Sequence, residues 1–205
     1  MTEPELRPRK TPLQTRSKAT CAAVLEAAAR ILEAEGSHAL TTNRVAERAG
    51  VSVGSLYQYF PGKEAILAEL IRDLRRDMVL TMRRAADLGR EESLASTVEL
   101  MVAAALEHHL TRPELARALE RVEAELPVDA ETRELKGELR NIVADVLAGH
   151  GIADAESVAF DLVALCHGLS SAAIEAGEKD INGLTLRLKR AVLGYLVAEP
   201  AGTGR

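Results

Sequence analysis

Residues 41–67, reading TTNRVAERAGVSVGSLYQYFPGKEAIL, constrain this chain more than any other stretch. Val45, Ala46 and Ala49 recur at three- and four-residue steps, which marks a short amphipathic helix beginning at Thr42. Gly50 then stands where a helix must stop in a backbone conformation that favours glycine. Val51 can plug the angle between two helices, and Ser52 is a favoured N-cap for the second. In that second helix Leu56 and Phe60 are four residues apart and predicted to face inward. Gly54, Ser55, Gln58 and Tyr59 are left on the outer face. Such a helix-turn-helix offers small and hydrogen-bonding side chains to base edges in a DNA groove.

Aromatic residues sharpen this reading. The chain has three Tyr, two Phe and no Trp in 205 residues, yet Tyr57, Tyr59 and Phe60 crowd into one turn. One aromatic suffices to pack so short a helix, and the tyrosine hydroxyls are expected to reach phosphates. Charge is distributed to match. The net charge is -5, but residues 1–66 hold nine Lys/Arg against seven Asp/Glu, and the remainder 17 against 24. From Arg7 to Lys18 there are five basic residues and no acid. Counterions are released only where phosphates are met, so local charge matters more than the total. This basic segment is expected to touch the DNA backbone or minor groove.

The segment from about Arg16 to Leu70 resembles the DNA-binding domain of the TetR family of bacterial transcriptional regulators. The resemblance rests on the Thr-Thr opening, the Ala-Gly-Val turn, the Leu-Tyr-x-Tyr-Phe helix and the Lys63-Glu64 pair that opens a long helix. Carried over position by position, it implies that Thr41 and Thr42 bind phosphate at the start of the first motif helix. Asn43 takes a position that reaches a base or phosphate, and Val53, Gly54, Ser55 and Gln58 face the bases. Gln58 can pair bidentately with adenine, and Val53 can touch a thymine methyl. Tyr57, Tyr59 and Lys63 are implied backbone contacts, with Arg44 and Arg48 read equally well as flanking contacts or solvated charges. The second helix carries no Arg, the commonest guanine ligand, so symmetry, spacing and DNA shape are expected to supply much of the specificity.

The rest of the chain reads as helix throughout. Pro4, Pro8 and Pro12 make residues 1–16 a poor helix and a flexible basic arm. Residues 17–66 form the expected DNA-binding domain, 67–199 a ligand-binding and dimerisation domain, and 200–205 a tail. Helices are predicted at 17–35, 63–87, 91–110, 113–126, 130–148, 154–176 and 180–198, with Pro and Gly between several of them. The fold class is therefore all-α, with about nine helices and a long fourth helix joining the two domains.

Two a/d-like seams mark the last two helices. Val158, Leu162, Leu165 and Leu169 form one, and Leu184, Leu188 and Tyr195, with Val192 on an adjoining face, form the other. Stripes this wide suggest a homodimer, as the resemblance also implies, through a four-helix bundle. The resemblance further implies a small-molecule effector whose binding moves the fourth helix. Met78, Met82, Met101 and His108 are the candidate ligand-binding residues, although Met at helical spacing equally reads as core. An aliphatic or small polar effector fits the scarcity of aromatics.

Other classes find less in the residues. His108-His109, His150 and Cys166-His167 raise a metal-responsive regulator, but no His-x-x-x-His or Cys-x-x-Cys spacing occurs, and no metal site is assigned. No nucleophile elbow, P-loop or GxGxxG is present, so neither an enzyme nor a cofactor is expected. An effector-independent architectural DNA-binding protein is the remaining alternative. The two distant cysteines, the lack of an apolar leader in the first residues and the lack of an uninterrupted apolar run of about 20 residues predict a cytoplasmic protein with no membrane partner. Double-stranded DNA, a second copy of the chain and an effector are the expected partners.

Overall fold

The computed structural model describes residues 6–9, 15–127 and 129–197, except for the side chain of His108. Among these residues there are nine α-helices and no strand. They are α1 (Thr15–Glu35), α2 (Thr42–Ala49), α3 (Val53–Tyr57), α4 (Lys63–Gly89), α5 (Leu94–Thr111), α6 (Pro113–Glu125), α7 (Ala130–Gly149), α8 (Ala155–Glu175) and α9 (Ile181–Val197), with a short 3-10 turn at Ser37–Ala39. The all-α expectation holds, and most boundaries fall within a few residues of those read from the periodicity. The exception is α3, which ends at Tyr57, short of the Phe60 that the spacing places within it. A single further turn follows, in which the Leu56 carbonyl accepts from the backbone N–H groups of Tyr59 (3.0 Å) and Phe60 (2.9 Å).

The chain divides into two compact units, and they are interleaved in sequence. The first takes residues 1–76 and 112–133, and the second 77–111 and 134–205. In the first unit α1 supplies Val24, Ala28, Ile31 and Leu32 to a common core, α2 supplies Val45 and Ala46, and the α3 region supplies Leu56 and Phe60. The start of α4 closes it with Ala65, Ile66, Leu67 and Leu70, and α6 adds Leu119 and Val122. Each Val, Leu, Ile or Phe among them removed from water contributes about 1.5–3 kcal/mol. The segment 112–133 is also tied in by charge: Arg112 donates to both carboxylate oxygens of Glu33 on α1, at 2.6 and 2.8 Å.

A buried ion network lies within the same unit. Arg72 is 1% exposed. It donates to Glu69 at 2.6 Å, to Asp129, and to the backbone carbonyl of Leu6 at 3.3 Å. Arg75 pairs with Glu123 of α6, both of them nearly buried. Arg76 donates to Glu69 at 2.9 Å and to Glu131 at 3.1 Å. Asp129 has a second task, since its other oxygen accepts from the Thr132 N–H at 2.8 Å and so caps α7. Removing one partner from such a pair leaves a charge buried alone, at a cost of about 3–5 kcal/mol.

The network sets an acid limit on stability. Burial alone raises a carboxyl pKa, but the hydrogen bonds from Arg76 and Arg72 outweigh it and hold Glu69 below its ordinary 4.5. At Asp129 burial is likewise outweighed, by the Thr132 hydrogen bonds and Arg72, and the group lies below its ordinary 3.8. A carboxylate with a lower pKa folded than unfolded stabilises the fold above its unfolded pKa, and that stabilisation is lost as pH falls through the folded value. Urea midpoints measured over a pH series should therefore drop progressively below the ordinary carboxylate range. Glu69→Gln should lower the midpoint at neutral pH and flatten the acid limb.

The second unit is built by α5, α7, α8 and α9 around Val98, Val102, Leu106, Leu147, Ala159, Leu162, Leu184, Leu188 and Val192. A smaller cluster of Met82, Ala85 and Met101 lies beside half-buried Leu100, Leu139, Ile142 and Val146. The end of α4 meets α5 at a close approach. A Cβ on Gly89 would stand 2.5 Å from the Thr97 methyl carbon, and the Thr97 hydroxyl donates to the Gly89 carbonyl at 2.9 Å. Gly89→Ala should therefore destabilise the protein by about 1–3 kcal/mol, the usual range for overpacking. A thermal melt unchanged by that substitution would refute the close fit.

Candidate nucleic-acid interface

Local capping builds the turn between α2 and α3. Thr41 is extended and its hydroxyl accepts from the Arg44 N–H at 3.3 Å, which starts α2. Gly50 ends that helix at φ 67°, in the left-handed region where a side chain costs about 1–2 kcal/mol. Ser52 caps α3 by accepting from the Ser55 N–H at 3.0 Å. The two serine hydroxyls are themselves 2.8 Å apart. Leu56 at 0% exposure and Phe60 at 1% then anchor the short helix to the core.

What remains outward is largely the set expected to meet DNA. Thr41, Asn43, Gly54, Tyr57, Gln58 and Lys63 are exposed, whereas Thr42, Val53, Ser55 and Tyr59 are half-buried. Val53 and Tyr59 pack against the core cluster, and Ser55 is engaged by its own capping residue. The structure adds a link that residue-by-residue reading does not show. The Thr42 hydroxyl lies 3.1 Å from the Tyr57 hydroxyl, joining the first turn of α2 to the end of α3. Two hydroxyls so paired form one donor-acceptor unit of the kind that binds a phosphate oxygen. Arg44 is committed elsewhere, to Glu35 at 2.6 Å and to the Ala39 carbonyl at 3.0 Å, so it latches α2 to the end of α1.

The other candidate residues are placed as follows. Met82 and Met101 are buried together, Met78 is half-buried, and the His108 side chain lies outside the described residues. Leu162, Leu184, Leu188 and Val192 are buried in the core of the second unit, with Val158, Leu165 and Leu169 packed against it. Tyr195 is 39% exposed and donates its hydroxyl to Asp161. Both cysteines are free thiols, and burial pushes Cys166 up to about 11. Among the described residues no group of three or more His, Cys, Asp or Glu is arranged to hold a metal ion, and His150 accepts or donates at 3.3 Å to Thr97.

Comparison with known proteins bears on this arrangement. Residues 24–70 match the family model described as bacterial regulatory proteins, tetR family. Residues 93–196, half the chain, match the tetracyclin repressor-like C-terminal domain. The chain belongs to the TetR family. The family is one of bacterial regulatory proteins, and the resemblance seen in residues 16–70 extends through both units. Among curated relatives, the nucleoid occlusion factor SlmA of Actinobacillus pleuropneumoniae is 36% identical over 97 residues, 47% of each chain. The HTH-type transcriptional regulator BetI of Agrobacterium fabrum is 38% identical over 82 residues, 38% of this chain and 39% of that one. The chain spans about half the length of the curated relatives it matches. A TetR transcription regulator from Haloarcula marismortui superposes with a TM-score of 0.71 at 19% identity, covering 87% of this chain and 97% of that one. The regulator FadR from Bacillus subtilis in complex with stearoyl-CoA superposes at 0.67 and 19% identity, covering 86% and 97%. At these identities the structures show a shared fold.

Substitutions on the TetR-type reading surface should separate its roles. Tyr57→Phe removes one of the paired hydroxyls and Thr42→Val the other; on the expectation that the pair meets phosphate, each should weaken binding about equally on every DNA sequence. Gln58→Ala should instead lose about 1–3 kcal/mol of discrimination at particular base pairs. Binding titrations across a series of single-base operator variants would show the difference, and parallel losses for all three proteins would refute the assignment.

Proposed function

We propose that this regulator is a dimeric repressor that binds a pseudo-palindromic operator and releases it on binding an apolar small molecule in the cytoplasm. The observation that carries the DNA-reading part is the exposed surface of Asn43, Gly54, Gln58 and the paired Thr42 and Tyr57 hydroxyls. The reading domain is taken to be residues 17–66, preceded by a basic arm, and the effector and pairing domain residues 67–199.

Dimerisation is supported by the face of α8 turned away from its own core. Phe160 is 57% exposed, and Ala164, Gly168 and Ala172 follow it at steps of four, all exposed. On α9, Leu186 and Val197 are exposed as well. The α8 helix is long and apolar enough to cross a membrane by length and composition, yet only 22% of its apolar window is buried within the chain. Small residues along one ridge let two such helices approach closely. The pairing face is therefore this ridge, and the seam of Leu162, Leu184, Leu188 and Val192 serves the monomer's own core. For the effector, the Met82, Ala85 and Met101 cluster offers adaptable apolar side chains among half-buried neighbours, and a structural neighbour binds stearoyl-CoA. Such a ligand need only favour one spacing of the two readers by about 1–3 kcal/mol.

The relatives named nucleoid occlusion factor SlmA support a second reading, an effector-independent architectural DNA-binding protein. One experiment tests both. Selection of bound duplexes from a random pool, followed by sedimentation of the complex, should return an inverted repeat holding two subunits. Phe160→Glu should give a monomer that binds the repeat at least tenfold more weakly. Enrichment of no sequence, or a wild-type monomer on a single half-site, would overturn the proposal.

A further inference from the structure

Residues Leu6–Arg9, ahead of the first helix, lie against the unit that carries α3. The Leu6 carbonyl accepts from the buried Arg72 at 3.3 Å, and the Arg9 backbone N–H donates to the Tyr59 carbonyl at 2.8 Å. Leu6 and Pro8 are half-buried while Arg7 and Arg9 are exposed, the alternation of an extended segment lying on a surface. Pro8 fixes its own φ and disfavours a helical Arg7, which keeps the segment extended.

These bonds fall where α3 cannot satisfy itself. The last carbonyls of a helix have no backbone partner within it. Were α3 to continue, the Tyr57 carbonyl would take the N–H of residue 61, but that residue is Pro and has none. The Arg9 guanidinium reaches this carbonyl at 3.5 Å, the outer limit of a hydrogen bond. The Tyr59 carbonyl, in the turn that follows α3, takes the Arg9 N–H. The far end of the same segment is held by Arg72, which is itself fixed by Glu69 and Asp129.

We propose that residues 6–9 position the reading helix, capping the end of α3 so that Tyr57 and Gln58 keep the orientation in which they meet DNA. This deepens the DNA-reading proposal above and rests on it. Leu56 and Phe60 fasten the segment from the core side, and the arm adds a second hold at its end. A helix of five residues needs such help, because so short a piece has almost no stability of its own. Arg9 is thus a positioning residue that acts through its backbone N–H, and the arm serves recognition from a place of its own on the reading unit.

Arg9→Ala and Arg9→Pro test this in the full chain, because both remove the guanidinium and only the second removes the N–H. Fluorescence anisotropy across a salt series gives the affinity for the selected inverted repeat and for a mixed-sequence duplex. Hydrogen–deuterium exchange follows the amides of residues 55–60. The two variants should share one salt slope, since they lose the same charge. Arg9→Pro should nonetheless have a ratio of specific to mixed-sequence affinity about fivefold below that of Arg9→Ala, the worth of one net hydrogen bond. Its exchange at residues 55–60 should be faster by a similar factor. A chain lacking residues 1–9 should exchange as fast as Arg9→Pro, which keeps the test open if the proline variant folds poorly. Equal ratios or equal exchange for the two Arg9 variants, or wild-type exchange in the shortened chain, would overturn the inference. A wild-type chain that prefers no duplex would overturn the DNA-reading proposal itself, and the two failures are thereby distinguished.

Discussion

A helix of five residues has no stability of its own, because forming its first turn fixes several residues for a single hydrogen bond. The α3 segment exists because Leu56 and Phe60 are driven into the core made by α1, α2 and the start of α4. Everything outward on that segment is positioned by what is inward. The Thr42 and Tyr57 hydroxyls meet at 3.1 Å only if Leu56 seats α3 against α2, and Gln58 is presented by the same seating. Stability and recognition thus share one small patch of apolar contact.

Much of this was legible in the residues themselves. The helix-turn-helix rests on signals that act locally: a left-handed Gly50, two hydroxyl caps and an apolar pair four residues apart. Local signals do not depend on the rest of the fold, so the elements appear where the spacing puts them. The end of α3 was less legible, since a helix that stops after one turn and continues as a turn keeps the same apolar spacing. Pairings between distant hydroxyls, such as Thr42 with Tyr57, leave no periodic trace. Neither does Arg72, whose neighbours in sequence resemble any charged helix face, yet which is almost wholly buried.

The last two helices show a different limit. A seam such as Leu184 and Leu188, with Val192 beside it, has the same spacing whether its cover comes from α5 and α8 or from a second molecule. Periodicity reports that a face is covered, not by what. Exposure of large apolar groups, as at Phe160 and Val197, marks instead the faces that the described residues leave uncovered. In sequence, Ala164, Gly168 and Ala172 give no sign that they are exposed.

The buried guanidiniums carry a consequence for anyone who would recombine regulators of this family. Arg72 and Arg75 lie on α4, but their carboxylate partners Asp129 and Glu123 come from a stretch some fifty residues later in the chain. Leu119 and Val122, from that same stretch, complete the hydrophobic interior of the reading head. A hybrid spliced at residue 70, where the family's N-terminal module ends, would therefore take Glu69 from one parent and its partners Arg72 and Arg76 from the other, and would part Leu119 and Val122 from the core they complete. Cut points that respect the molecule's own joints must transplant residues 112–133 together with the first 76. The modularity that a linear map of the chain suggests is not the modularity its charges allow.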